Sequence, residues 1–215
     1  MQEYITVTAI VLKQTPVGEY DRRLCLLTKE KGKISAFARG ARKPSGKLAA
    51  ATNPLSFGEF KLYPGRDSYS VVEASISQYF EELRTDYEGA CYGMYFAEVA
   101  DFYGRENNDE KLLLKLLYQS LRALTHPSLD RRMVRAIFEC KAIMVNGEYP
   151  GLPETKSYLE GTVYTLSYIE QSSIEKLYSF TLSEEVLEEL LRITEGLTQR
   201  YIHHPFKSLE VLKTL

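Results

Sequence analysis

Between Lys13 and Lys47 the chain carries ten basic side chains: Lys13, Arg22, Arg23, Lys29, Lys31, Lys33, Arg39, Arg42, Lys43 and Lys47. Only Glu19, Asp21 and Glu30 oppose them, a local charge of +7 in a protein of net charge −2. Cations gathered this densely neutralise phosphates and release counterions, which gives salt-sensitive and largely sequence-blind binding to a polyanion. Aromatic rings stand nearby at Tyr20, Phe37, Phe57, Phe60, Tyr63 and Tyr69. A base stacked on such a ring contributes about 1–3 kcal/mol. Phe37, Phe57 and Phe60 are expected to fill a core, whereas Tyr20 and Tyr69 are expected to stack.

The densest run, "ARGARKPSGK" (38–47), has the look of a phosphate-cradling P-loop. That motif needs four residues between its glycines, then Lys, then Ser or Thr for Mg²⁺. Five residues separate Gly40 from Gly46, Leu48 follows Lys47, and Pro44 removes one N–H from any nest of donors. Nucleotide hydrolysis at this loop is excluded. Arg39, Arg42, Lys43 and Lys47 therefore read as direct phosphate contacts. Arg22, Arg23, Lys31 and Lys33 rank second, because strand side chains can point to either face.

No catalytic constellation accompanies the charge. The histidines are His126, His203 and His204, none at the spacing of a helical zinc pair. There is no Gly-x-Ser-x-Gly elbow, and Cys25, Cys91 and Cys140 have no base beside them in sequence. Glu184, Glu185, Glu188 and Glu189 read as a solvated helix face. No metal site and no cofactor are expected. Three scattered cysteines suit a reducing compartment. The start lacks a signal-peptide pattern, and no apolar run is long enough to span a membrane. A cytoplasmic protein is expected.

Two kinds of element hold these residues. Alternating, β-branched runs at 4–12, 22–28, 33–38, 55–63 and 68–76 predict five short strands, with "TPVGEYD", "KEKG" and "PGRD" as the turns among them. Five strands within 80 residues predict an OB-fold β-barrel, whose second and third strands offer a nucleic-acid face. From about residue 80 the apolar spacing becomes helical, at 87–103, 109–124 and 131–145. A further helix is expected from "TLSEEVLEELLRITEGLTQRY", with Thr181 and Glu184 at capping-box spacing. The fold class is α+β: an OB-fold domain over 1–80, then an all-α domain over 81–215. Charge divides the same way, at +5 for residues 1–80 and −7 for the rest. These features do not separate DNA from RNA as the polyanion, nor exclude an adaptor whose basic loop meets an acidic protein.

The stretch "TAIVLKQTPVGEYDRRLCLLTKEKGKISAFARGARKPSGK" resembles the N-terminal domain of the bacterial recombination mediators of the RecO family. The matching features are Val11–Leu12, Gly18–Asp21, Thr28, Lys31–Lys33 and Gly40–Lys43. The likeness continues in "NGEYPGLP" (146–153) and "FKSLEVL" (206–212). It implies a non-enzymatic DNA repair protein, located in the cytoplasm with the nucleoid. Such a protein binds single- and double-stranded DNA and anneals complementary strands. With RecR it helps load RecA onto DNA coated by the single-stranded-DNA-binding protein, SSB. In that account the 38–47 loop is a mobile phosphate-gripping arm. Many relatives carry Cys-x-x-Cys pairs after the Pro-x-Leu. Here that stretch reads "PETKSYLEGTVYTLSY", so the zinc site does not carry over.

The resemblance also implies a receptor for the C-terminal tail of SSB, which is acidic and ends in hydrophobic residues. "LDRRMVRAIFECK" (129–141) offers Arg132 and Arg135 one turn apart, beside Val134, Ile137 and Phe138. The same spacing equally fits an Arg135–Glu139 ion pair and a buried core face.

Overall fold

A computed structural model describes residues 3–153 and 157–214. Five strands, β1 (Ile5–Val17), β2 (Asp21–Thr28), β3 (Gly32–Ala38), β4 (Phe57–Pro64) and β5 (Tyr69–Gln78), close into a barrel in the order β1-β2-β3-β5-β4. All ladders are antiparallel except β3–β5. Alternation does the folding here. Val7, Ala9 and Val11, Leu24 and Leu26, and Phe60 and Leu62 project inward to a core exposed by at most 1%.

Strand β1 runs further than its residues suggest. Thr15, Pro16 and Val17 pair with Arg23, Arg22 and Asp21, after a register shift between Val11 and Lys13. Only positions 5–10 of β1 also pair with β4, so Pro16 lies where one side of the strand needs no donor.

The helices are α1 (Glu81–Thr85), α2 (Tyr87–Tyr103), α3 (Lys111–Leu124), α4 (Arg131–Val145), α5 (Glu160–Gln171), α6 (Glu184–Tyr201) and α7 (Lys207–Leu212). Compactness divides the chain within α3: Met1–Leu114 with Phe206–Leu215 form one unit, Lys115–Pro205 the other. In the first unit α2 packs on β1 and β2, and the segment 206–212 packs on α2. The Phe206 ring meets Tyr95 at 5.5 Å and Phe102 at 6.3 Å, both edge-on. Buried from both sides, α2 has no single apolar stripe.

In the second unit α4 packs on α6 and α5. The ammonium of Lys141 donates to the carbonyls of Ile169, Glu170 and Ser172, closing the C-terminal end of α5. The expected capping box is not formed. Helix α6 begins with Ser183 as N-cap and without a side-chain cap, while the Glu184 carboxylate accepts from Arg132 at 3.1 Å instead. Among the described residues no helix is long and apolar enough to cross a membrane.

Candidate nucleic-acid interface

Register carries three connections to one end of the barrel. Arg22 lies opposite Ala38, so the β1–β2 turn meets the segment that leaves β3. Tyr69 pairs with both Ala36 and Pro64, which brings the β4–β5 turn to the same end. Arg66 in that turn is exposed. Sequence reasoning passed over it, since the "PGRD" turn is legible but the β3–β5 pairing that places it is not. In an OB-fold the loops at this end, with the outer face of β2 and β3, are where an oligonucleotide lies.

The basic loop is anchored, which corrects the expectation of a mobile arm. The Arg42 amide donates to the Tyr20 carbonyl at 2.8 Å, and the Gly40 amide to Asp21 Oδ1 at 2.8 Å. Arg42 Nη1 reaches the Gly18 carbonyl at 3.0 Å. Turns internal to the loop link Lys43 to Gly40 and Gly46 to Lys43, and a Cβ on Gly46 would stand 2.4 Å from the Gly40 carbonyl. Ala41 is fully buried against the barrel core. The loop thus lids the barrel while Arg39, Arg42, Lys43 and Lys47 remain exposed. Lys43 Nζ sits 5.4 Å from the centre of the Tyr20 ring, which is 45% exposed and so keeps a face for a base.

The second-rank cations separate into distinct roles. Arg22 Nη1 donates to Ala49 O, Thr52 Oγ1 and Asn53 Oδ1 at 2.9, 2.7 and 3.2 Å, so this guanidinium ties down the lid. Burial, and then the like charge of Arg42, lower its pKa. Arg23 is exposed on the outer face, with Nε donating to Ser35 Oγ at 2.9 Å. It stands opposite Phe37, which also faces outward. Of the three phenylalanines assigned to the core, only Phe60 belongs there. Phe37 and Phe57 fall on the outward phase of their strands and are half-buried. Tyr69 does the reverse, packing against the barrel core.

Lys31 and Lys33 lie at the far end of the β2–β3 hairpin. Four residues of strand, about 13 Å, separate Lys33 from Phe37. Lys31 is exposed, but Lys33 Nζ is 3.0 Å from Asp101 Oδ1 of α2. The structure therefore brings Arg39, Arg42, Lys43, Lys47, Arg23 and Tyr20 together with Arg66 and Phe37, and leaves Lys31 and Lys33 apart.

In the second unit, Arg132 is exposed but engaged. Its guanidinium meets Asp130 at 2.9 Å, Glu184 at 3.1 Å and Glu188 at 3.2 Å. Hydrogen bonds to Asp130 and Glu184 raise its pKa. Arg135 Nε pairs with Glu139 at 2.9 Å. Val134, Ile137 and Phe138 are fully buried, so they form core and not the wall of an open pocket.

The family description "Recombination protein O N terminal" matches residues 1–80, the barrel, and "Recombination protein O C terminal" matches residues 84–154 and 152–210. The chain belongs to the RecO family of DNA repair proteins. It is 29% identical to DNA repair protein RecO of Acetivibrio thermocellus, over 99% of this chain and 97% of that one. It is 27% identical to the RecO of Clostridium kluyveri, over 96% and 92%. Against the RecO of Alkaliphilus metalliredigens the identity is 30%, over 69% and 60%. In this RecO-family chain two cysteines are held as thiols. Burial, aided by Asp101, pushes Cys25 up to about 12, and burial pushes Cys140 up to about 12. Nucleophilic chemistry needs the thiolate, which these surroundings disfavour. Among the described residues no group of three His, Cys, Asp or Glu is assembled as a metal site.

Proposed function

We propose that this protein binds single- and double-stranded DNA at the loop end and the β2–β3 face of its barrel and anneals complementary strands without catalysis. With RecR it then helps RecA onto SSB-coated single strands. The observation that carries the reading is the convergence of Arg39, Arg42, Lys43, Lys47 and Arg66 on one barrel end, next to Arg23, Phe37 and the Tyr20 ring. Base pairing supplies the driving force for annealing. The protein has only to offset phosphate repulsion between two strands and leave their bases accessible, which fixed cations beside exposed rings achieve. The test is annealing of complementary oligonucleotides without ATP, naked and SSB-coated. Acceleration in both is expected, and no acceleration on naked strands would remove the activity. Competition by RNA of equal length tests the substrate, and preferential RNA binding would replace DNA.

The SSB tail is the proposed partner of the helical unit. Arg132 and Arg135 are the sequence-derived contacts, but a specific observation favours a second position. A cleft of about 520 Å³ beside α6 has Arg192 and Arg200 along its rim, with Ile193 and Leu197 in its wall. Cations around an apolar cleft suit an acidic, hydrophobic-ended peptide. Tail-peptide titrations of Arg132→Ala/Arg135→Ala and of Arg192→Ala/Arg200→Ala assign the site to whichever pair abolishes binding; retention by both excludes the two.

A further inference from the structure

The outer face of β1, β2 and β3 does not stay basic along its whole length. Its side chains fall in rows about 6.6 Å apart, two residues to a step. Thr15, Arg23 and Phe37 form one row, and Lys13, Cys25 and Ser35 the next. Lys33 follows diagonally, opposite Leu27. At this second row a carboxylate enters from α2. Asp101 Oδ1 lies 3.0 Å from Lys33 Nζ, and Oδ2 lies 3.5 Å from Lys13 Nζ. The Cys25 thiol donates to Oδ1 at 3.4 Å, and Lys33 also donates to the Asp101 carbonyl. The Lys13 side chain is 62% exposed and that of Asp101 28%, so the cluster lies at the surface where a strand leaving Arg23 would continue.

An anionic oxygen pair held by two ammonium groups is the contact set of a phosphate. We infer that Asp101 is a phosphate mimic that ends the nucleic-acid track. It occupies Lys33 and shares Lys13, so that a strand running from the loop cations past Arg23 gains no further phosphate contact at the α2 edge. This rests on the reading that the β2–β3 face binds DNA. Burial works against ionisation of Asp101, but the hydrogen bond and charge of Lys33, with Lys13 behind them, outweigh it and leave the carboxyl below its ordinary range. The group is therefore an anion wherever the protein works. A carboxylate that only clamped α2 to the barrel would leave DNA binding unaltered on neutralisation.

The test uses Asp101→Asn, which keeps an oxygen for Lys33 and removes the charge. Binding of a labelled oligothymidylate is measured across roughly 50–300 mM salt. The log–log slope is expected to steepen by ~0.7–1.4, one or two added single-strand contacts. Lys33→Ala in the unaltered chain is expected to leave the slope unchanged, and in the Asp101→Asn chain to remove the gain. An unaltered slope in folded Asp101→Asn overturns the inference. So does a Lys33→Ala chain that by itself loses ~0.7 of slope, and this arm decides alone if Asp101→Asn does not fold. If the unaltered chain shows no salt-dependent DNA binding at all, the parent reading fails and the inference with it.

Discussion

Replacing Arg39, Arg42, Lys43 and Lys47 together by Ala removes the cations of the lid without dismantling it. The bonds that fix the loop run from the Arg42 and Gly40 amides to Tyr20 O and Asp21 Oδ1, and those survive the change. Only the Arg42 side-chain contact to Gly18 O and the Lys43–Tyr20 contact are lost. Arg39 and Lys47 are exposed, and Arg42 keeps donors beyond the one engaged with Gly18, so each of the four side chains can meet a phosphate. At ~0.7 of log–log slope per single-strand phosphate, four contacts amount to ~2.8. Over a fourfold rise in salt, from roughly 50 to 200 mM, the advantage of the unaltered protein over the variant should shrink about 50-fold. Fluorescence anisotropy with oligonucleotides of two unrelated sequences measures this, and the loss should be the same for both. A variant whose slope stays within ~0.7 of the unaltered protein would refute the assignment of the lid as the phosphate-contacting element.

Arg22→Met should lower stability by about 1.5–3 kcal/mol in thermal melts, since it leaves three acceptors of the lid without their charged donor. Gly32→Ala should cost more than about 2 kcal/mol: φ is +66°, and the new Cβ would stand 2.2 Å from the Arg105 carbonyl. For Asp101 and Asp130 burial raises the carboxyl pKa, but hydrogen bonds from Lys33 and from Arg132 outweigh it and leave both below their ordinary value. Their stabilisation is therefore present above the unfolded-state range near about pH 4 and lost as pH falls through the folded values. The melting temperature should hold from neutrality to about pH 5 and drop below about pH 4, less steeply in Asp101→Asn/Asp130→Asn. Elemental analysis should find no stoichiometric zinc, and a chelator should leave the melting temperature unchanged; one zinc per chain would contradict this.

The barrel was legible because a half-buried strand must alternate, and Val7, Ala9 and Val11 do so against exposed or half-exposed neighbours. Helices α2 and α4 were legible to the residue for the corresponding reason. Helix α5 was not, because "EGTVYTLSYIEQ" is rich in β-branched and aromatic residues and has no side-chain N-cap. Its C-terminal carbonyls are closed by Lys141, from another helix and far away in sequence. The candidate site was half legible. Counting charge finds Arg39, Arg42, Lys43 and Lys47, but it cannot see that Lys33 is matched by a carboxylate 68 residues onward, or that Arg22 faces a lid. Strand phase, once known, reassigns Phe37 outward and Tyr69 inward.

The return of the segment 206–212 to α2 has a consequence for synthesis. The ring of Phe206 that covers Tyr95 and Phe102 leaves the ribosome only after residues 115–205 have been made. At about 5–20 residues per second that is a delay of roughly 5–20 s, during which the barrel is complete but one side of α2 is bare. A nascent chain in that interval exposes aromatic surface that the finished protein hides, and so is a natural client for a chaperone. Truncation just before Phe206 would make that interval permanent, and its damage should fall on the unit that begins the chain.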